Sequence, residues 1–171
     1  MNSKFPHRDF KSDDFWKSIP GWSNISYNQF SDYKWQASNT ITGVNQIHDI
    51  LKDGVTESFL RDVEKSLSKV SMAIRITPYI FSLIDWSEPY SDPLRKQYLP
   101  VASQMEPEHP FASFDSLYEE VDSPLSHLTH RYYDRALILL LNTCPHFCCY
   151  CNRSRKVGKS PQKPNDQELS K

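Results

Sequence analysis

Four cysteines, Cys144, Cys148, Cys149 and Cys151, fall within eight residues, and they are all the cysteines the chain has. So tight a group cannot staple distant segments together as a disulfide framework does. In a reducing compartment, clustered thiols bind metal or do redox work. Cys144, Cys148 and Cys151 follow the spacing C-x3-C-x2-C. Three thiolates from one short loop can hold three irons of a cubane [4Fe–4S] cluster, whereas clusters held entirely by protein use four cysteines. The fourth iron is then open to a small-molecule ligand, as open positions are in other metal sites. Cys149, adjacent to Cys148, is awkward as a ligand to the same cluster and is read as a bystander. A tetrahedral zinc site is the alternative, built from Cys144, Cys148, Cys151 and either His146 or Cys149. Structural zinc sites usually draw ligand pairs from two separate segments, and here a single loop supplies them all.

The elements that must position this loop are legible around it. Residues 136–142, ALILLLN, lead into the first cysteine as a continuous apolar run. Such a run predicts a parallel strand buried on both faces. No second strand of that kind can be found. The chain is therefore expected to stop just after its first core strand, with apolar surface and strand edges uncovered. Upstream, residues 42–52 place Val44, Ile47, Ile50 and Leu51 on one helical face, with Thr42 as cap. Residues 57–71 carry the stripe Phe59, Leu60, Val63, Leu67 and Val70, capped by Thr56. A short helix is predicted from Pro78 to Trp86, with proline at its first position, and another near 94–99. Residues 1–30 read as an irregular, aromatic-rich segment that wraps a neighbouring surface, through Phe15, Trp16, Trp22, Tyr27 and Phe30. The sequence thus divides into that segment, a helical region over 31–128, a core beginning over 129–158 with the cysteine loop, and a polar tail over 159–171, expected to be mobile.

At 171 residues the chain suits one domain with a modest core. Its net charge of −1 gives no support to a nucleic-acid partner or an anionic membrane surface. The polar N-terminus has no apolar signal core and no apolar run is long enough to span a bilayer, so the expected location is the cytoplasm.

From about Tyr33 to Gly158 the sequence resembles the lysine 2,3-aminomutase family of radical S-adenosylmethionine (SAM) enzymes. The pieces, in order, are DYKWQ at 32–36, ITPY at 76–79, SLID at 82–85, DPLRKQYLP at 92–100, DSPLSHLTHRYYDRALILL at 122–140 and CPHFCCYCNRSRKVG at 144–158. The cysteine spacing marks the superfamily, while DPLRKQ, LTHRYYDR and CNRSR mark the family. The resemblance implies an α/β fold, in which a helical N-terminal region precedes the first strand and cluster loop of a partial (β/α) barrel, with the rest of the barrel missing. It also implies an isomerase activity. SAM chelates the open iron of the [4Fe–4S] cluster, its cleavage yields an adenosyl radical, and the radical starts a 1,2-shift of an amino group held on pyridoxal phosphate (PLP). Here the cofactors do the hard chemistry and the protein orients them.

Residue by residue, the resemblance puts Cys144, Cys148 and Cys151 on the cluster and Tyr150 near the adenine of SAM. Arg131, Tyr132 and Arg135 match the segment that approaches PLP and its phosphate, where two arginines can offer convergent donors. Arg153 matches the arginine that holds the substrate carboxylate. Arg155 and Lys156 read as surface charge, and His130 as a structural hydrogen-bonding residue. The PLP lysine, the glycine-rich SAM contact and most barrel strands have no counterpart, and Lys159, Lys163 and Lys171 in the polar tail are poor substitutes. The expectation is therefore a truncated or split aminomutase portion, not catalytic alone. It would act on an amino acid, lysine by family default, with a second polypeptide carrying the rest of the barrel. The alternatives are a non-catalytic remnant and a small zinc-binding interaction module.

Overall fold

The computed structural model describes residues 11, 13–70, 72–113, 115–125 and 127–158. The polar tail over 159–171, with Lys159, Lys163 and Lys171, lies outside the described residues, as do residues 1–10.

Short helices with local caps build the first layer. Two 3-10 turns, Phe15–Ser18 and Pro20–Trp22, precede α1, Tyr27–Ser31. A reciprocal capping box between Ser26 and Gln29 starts α1. In α2, Tyr33–Ser38, the Asp32 carboxylate accepts from the Lys34 amide at 2.9 Å. Helix α3 is Val44–Leu51, and Gly43 takes the cap position expected of Thr42. Thr42 stands one residue further out and donates its amide and hydroxyl to Gln46 Oε1, at 2.7 and 3.1 Å. Helix α4, Glu57–Leu67, is capped by the Thr56 hydroxyl, which accepts from Phe59 N. It stops short of the expected residue 71. The Ser66 and Ser68 hydroxyls donate to the Val63 and Lys65 carbonyls and so compete with further helical turns. Helix α5, Pro78–Leu83, likewise ends early, because the Trp86 indole folds back to donate to the Phe81 carbonyl at 3.0 Å. Helix α6 is Pro93–Tyr98.

These helices share one core. Trp16, Trp22, Phe30, Ile47, Leu51, Phe59, Val63 and Phe81 are all buried in it. The Trp16 ring stacks on Phe30 with centroids 4.4 Å apart. The aromatic segment before α1 is therefore part of the core, organised by its 3-10 turns. Ile41 and Ile76, both buried, exchange backbone hydrogen bonds of 2.8 and 3.0 Å and tie α2–α3 to the entry of α5.

The apolar run departs from expectation. Strand β1, Leu128–Tyr132, pairs with β2, Arg135–Ile138, in an antiparallel hairpin. Leu128 faces Ile138, Thr129 faces Leu137 and Tyr132 faces Arg135. The predicted parallel strand over 136–142 is thus replaced by an antiparallel one that ends at Ile138, with all four residues of β2 exposed. The physical reason is proximity. A two-residue turn at Tyr133 and Asp134 lets 128–132 pair at once, whereas a parallel partner needs a long crossover. Among the described residues the sheet has only these two strands, so the structure is a mixture of helices and one small antiparallel sheet.

Candidate functional site

The cysteine loop has no regular structure, and distant segments hold it from both sides. The Phe147 amide donates to the Arg75 carbonyl at 2.9 Å, and the Cys149 amide donates to the Gln97 carbonyl at 2.7 Å. His146 Nε2 and the Thr77 hydroxyl share a 2.7 Å hydrogen bond, and the His146 ring lies 5.6 Å from that of Tyr98. Burial, then the charge of Arg75, lowers the His146 pKa and favours the neutral ring. Past the cysteines the chain turns on itself, with Cys151 N donating to Cys148 O and Ser154 N to Cys151 O. Gly158 closes the turn at φ +81°, and a Cβ there would lie 2.9 Å from the Phe147 ring, so that a side chain is excluded twice over.

All four cysteines are free thiols; Cys144, Cys148 and Cys151 are half-buried and Cys149 is exposed. Burial raises the Cys148 pKa; a hydrogen bond from the Gln97 side chain opposes that, and Cys151 and Cys144 add to it. Burial, then Cys148 and Cys144, also raises the Tyr98 hydroxyl. The Cys148 thiol therefore lies within reach of the charge of both Cys144 and Cys151. Cys149 is pushed up to about 11, chiefly by burial, with Arg95 pulling the other way. The Cys149 residue keeps an open surface while protein crowds its thiol on the Arg95 side. Beside the loop is a cleft of about 720 Å³. Cys148, Cys149, Tyr150 and Cys151 form one wall, and Tyr98, Ile74 and Met105 belong to the other sides. Tyr150 stands at the rim, 79% exposed.

Three free thiols on one loop, with Cys148 within electrostatic reach of the other two, suit a cluster that takes one thiolate per iron. A single metal ion needs donors converging on one point, and no three His, Cys, Asp or Glu side chains among the described residues do so. His146, the candidate fourth zinc ligand, has its Nε2 engaged by Thr77.

The other predicted residues lie apart from the cleft. Arg131, Tyr132 and Arg135 are exposed on the hairpin. Arg131 donates to the Leu117 carbonyl at 2.8 Å and stands 3.8 Å from the Asp122 carboxylate. Arg135 grips Asp134 through two bonds of 2.9 and 2.7 Å and lies over the Tyr132 ring. That grip raises the Arg135 pKa and lowers that of Asp134. In this arrangement the three residues form no phosphate cradle and do not fit PLP. Arg153 donates to Glu119 at 2.8 Å, and its Nη1 is buried with no hydrogen-bond partner. With Arg155, Asn142, Leu139 and Leu141 it lines a second cavity of about 260 Å³.

Arg155 is not surface charge. Its side chain is 10% exposed and reaches Asp115, Glu119 and Glu120 at 2.9, 3.1 and 3.3 Å. The signal was the acidic run over 115–120, but nothing local links it to an arginine some 35 residues away. Arg95 was missed as well. Buried in α6, it donates to the carbonyls of Pro89, Tyr90 and Leu99 and to Gln104 Oε1, while Asp92 caps its amide. It thereby fixes the short helix that offers the Gln97 carbonyl to the loop.

Sequence comparison defines the class: the chain is homologous to amino-acid 2,3-aminomutases. Within that class it belongs to the lysine 2,3-aminomutase family and corresponds to the amino-terminal portion of its members. It is 34% identical over 148 residues to the L-lysine 2,3-aminomutase of Methanococcus maripaludis, a match covering 86% of this chain and 34% of that protein. The Acetoanaerobium sticklandii enzyme of the same name is 35% identical over 150 residues, 86% of this chain and 34% of that protein. The glutamate 2,3-aminomutase of Clostridioides difficile is 31% identical over 138 residues, 80% of this chain and 31% of that protein. The chain thus spans about a third of the length of the curated relatives it matches. No protein-family model matches it. Among the described residues no helix is long and apolar enough to cross a membrane.

Proposed function

We propose that this chain is the [4Fe–4S]-binding, amino-terminal portion of a radical SAM amino-acid aminomutase, with lysine the first substrate to test. The observation that carries the reading is the loop itself: three free thiols in C-x3-C-x2-C spacing, pinned on either side by backbone bonds to Arg75 and Gln97. In this role Cys144, Cys148 and Cys151 would each hold one iron, and the backbone bonds to Arg75 and Gln97 would keep the loop in order. A bound cluster with one open iron supplies the electron that cleaves SAM. Tyr150, at the cleft rim, flanks the adenine and limits water. The family resemblance makes Arg153 the candidate for the substrate carboxylate; here its unpartnered Nη1 is buried and it lines the second cavity rather than the cysteine cleft, with Glu119 fixing the other end of the guanidinium.

Family membership brings an expectation of PLP, but Arg131, Tyr132 and Arg135 are committed elsewhere, and no step assigned to this chain passes through that group. The matched stretch spans about a third of the relatives' length, so turnover is proposed only with the equivalent of the remaining length present, in the same polypeptide or another. The uncovered apolar residues of the hairpin, Leu137 and Ile138, with Leu140 and Leu141 beyond them, are where it docks. The same exposed hairpin favours a second reading, a non-catalytic remnant, if nothing ever covers it.

The test of the cluster role is anaerobic reconstitution with iron and sulfide. The cluster reading expects thiolate-to-iron charge-transfer absorbance and iron and sulfide in cubane proportion. A folded chain that takes up neither refutes it.

A further inference from the structure

A further cavity, of about 660 Å³, lies among aromatic rings and shares no lining residue with the cysteine cleft. Trp16 and Phe30, stacked and buried, line its inner side. Phe15 also lines it and meets Tyr79 edge-on, with centroids 5.8 Å apart. Tyr27, Tyr33 and Tyr79 complete the aromatic lining, and they are 66%, 75% and 50% exposed, so their rings stand at the mouth rather than in the core. Ring faces and edges arranged in this way receive a flat aromatic ring by offset stacking or edge contact. The volume falls within the range of roughly 300–1,000 Å³ usual for small-molecule sites.

Arg75 lines the same cavity, and its Nε is buried with no hydrogen-bond partner. Among the described residues no carboxylate forms an ion pair with it. Its guanidinium lies 5.8 Å from the Phe147 ring, a contact that leaves its N–H donors unused. A buried charged donor without an acceptor is costly, and a carboxylate matches the planar guanidinium fork. Asp13 is the one acid in the lining, and its charge disfavours a ligand with more than one negative group. We propose that this cavity binds a small aromatic monocarboxylate, with its ring among Phe15 and the three tyrosines and its carboxylate on Arg75. The ligand sits against the segments that hold the cysteine loop. Pro145 and Thr77 line the cavity, Thr77 bonds His146, and the Arg75 carbonyl accepts the Phe147 amide. The inference stands apart from the cluster reading and needs no metal in place.

The experiment is titration calorimetry of the full chain with three probes: 2-naphthoate, its neutral counterpart 2-naphthamide, and inorganic phosphate. The parent chain should bind one 2-naphthoate, bind 2-naphthamide about tenfold more weakly for want of the charged hydrogen bond, and show no saturable binding of phosphate. R75Q removes the charge and keeps the backbone carbonyl that holds Phe147. It should bind the acid and the amide alike, with helix content unchanged. Y33A trims a ring at the mouth that the core does not use, and it should weaken both naphthalene probes by the same factor. If R75Q does not fold, the acid-to-amide ratio in the parent chain and the loss in Y33A still decide the matter. No binding of 2-naphthoate to the parent chain overturns the proposal. So does equal affinity for acid and amide, a folded R75Q that keeps the parent preference, or a Y33A that binds as the parent does.

Discussion

The helical layer from Phe15 to Val101 and the segment from Phe111 to Gly158 treat their apolar residues in opposite ways. The first turns its large side chains inward: Trp16, Phe59, Phe81 and Leu99 are all but sealed from solvent. The second leaves Phe111, Val121, Ile138, Leu140 and Leu141 in the open, with Leu141 62% exposed. What orders the second segment is polar: the Arg155 grip on three carboxylates and the loop's amide bonds to Arg75 and Gln97. The contrast teaches that the helical layer carries the stability, and that the cysteine loop draws its shape from that layer rather than from the hairpin beside it.

The sharpest way to break this contrast is to truncate one apolar residue in each region. Phe81→Ala should cost about 3–5 kcal/mol in denaturant unfolding, the usual cost of emptying an aromatic site in a core. Leu140→Ser should stay within about 0.5 kcal/mol, as exposed positions do. Comparable losses at the two sites would mean that the hairpin is covered after all. Next in size is Arg155→Ala, which strands the Glu119 carboxylate, 8% exposed, with Arg153 as its remaining partner. A local cost of about 1–3 kcal/mol is expected. It should be read as faster amide exchange at Glu119 and Glu120, whose amides bond to Asp115, and unchanged exchange there would break the account of how the segment is held. The smallest effect concerns Cys149. With its thiol pushed up to about 11, the neutral form dominates at pH 8, so alkylation there is slow despite the exposed surface. In the metal-free chain its rate should still be climbing above pH 9, and a plateau below that pH would show that the Arg95 side does not crowd it.

Much of the helical layer was legible because its signals are local. Thr56 three residues before Phe59, Pro78 opening a helix and the apolar stripe of α4 act within one turn of themselves. The hairpin was not legible, because the LTHRY strand reads as charged chain and because the burial of an apolar run depends on what covers it. At the site the ligand spacing was plain, since it lies within eight residues. The holding contacts were not. Phe147 to Arg75 and Cys149 to Gln97 run through backbone groups that every residue carries, across about fifty to seventy positions. Arg155 beside Arg153 looked like one more solvated charge until the acidic loop was seen folded around it.

One measurement tests the central claim most directly: the paramagnetic signal of the reduced, reconstituted chain before and after SAM is added, in the parent protein and in four single cysteine-to-alanine variants. A three-thiol cube with a vacant corner predicts that SAM alters the parent signal. Cys144→Ala, Cys148→Ala and Cys151→Ala should lose it, and Cys149→Ala should keep it. A signal indifferent to SAM, or one that vanishes equally with Cys149, would contradict the account.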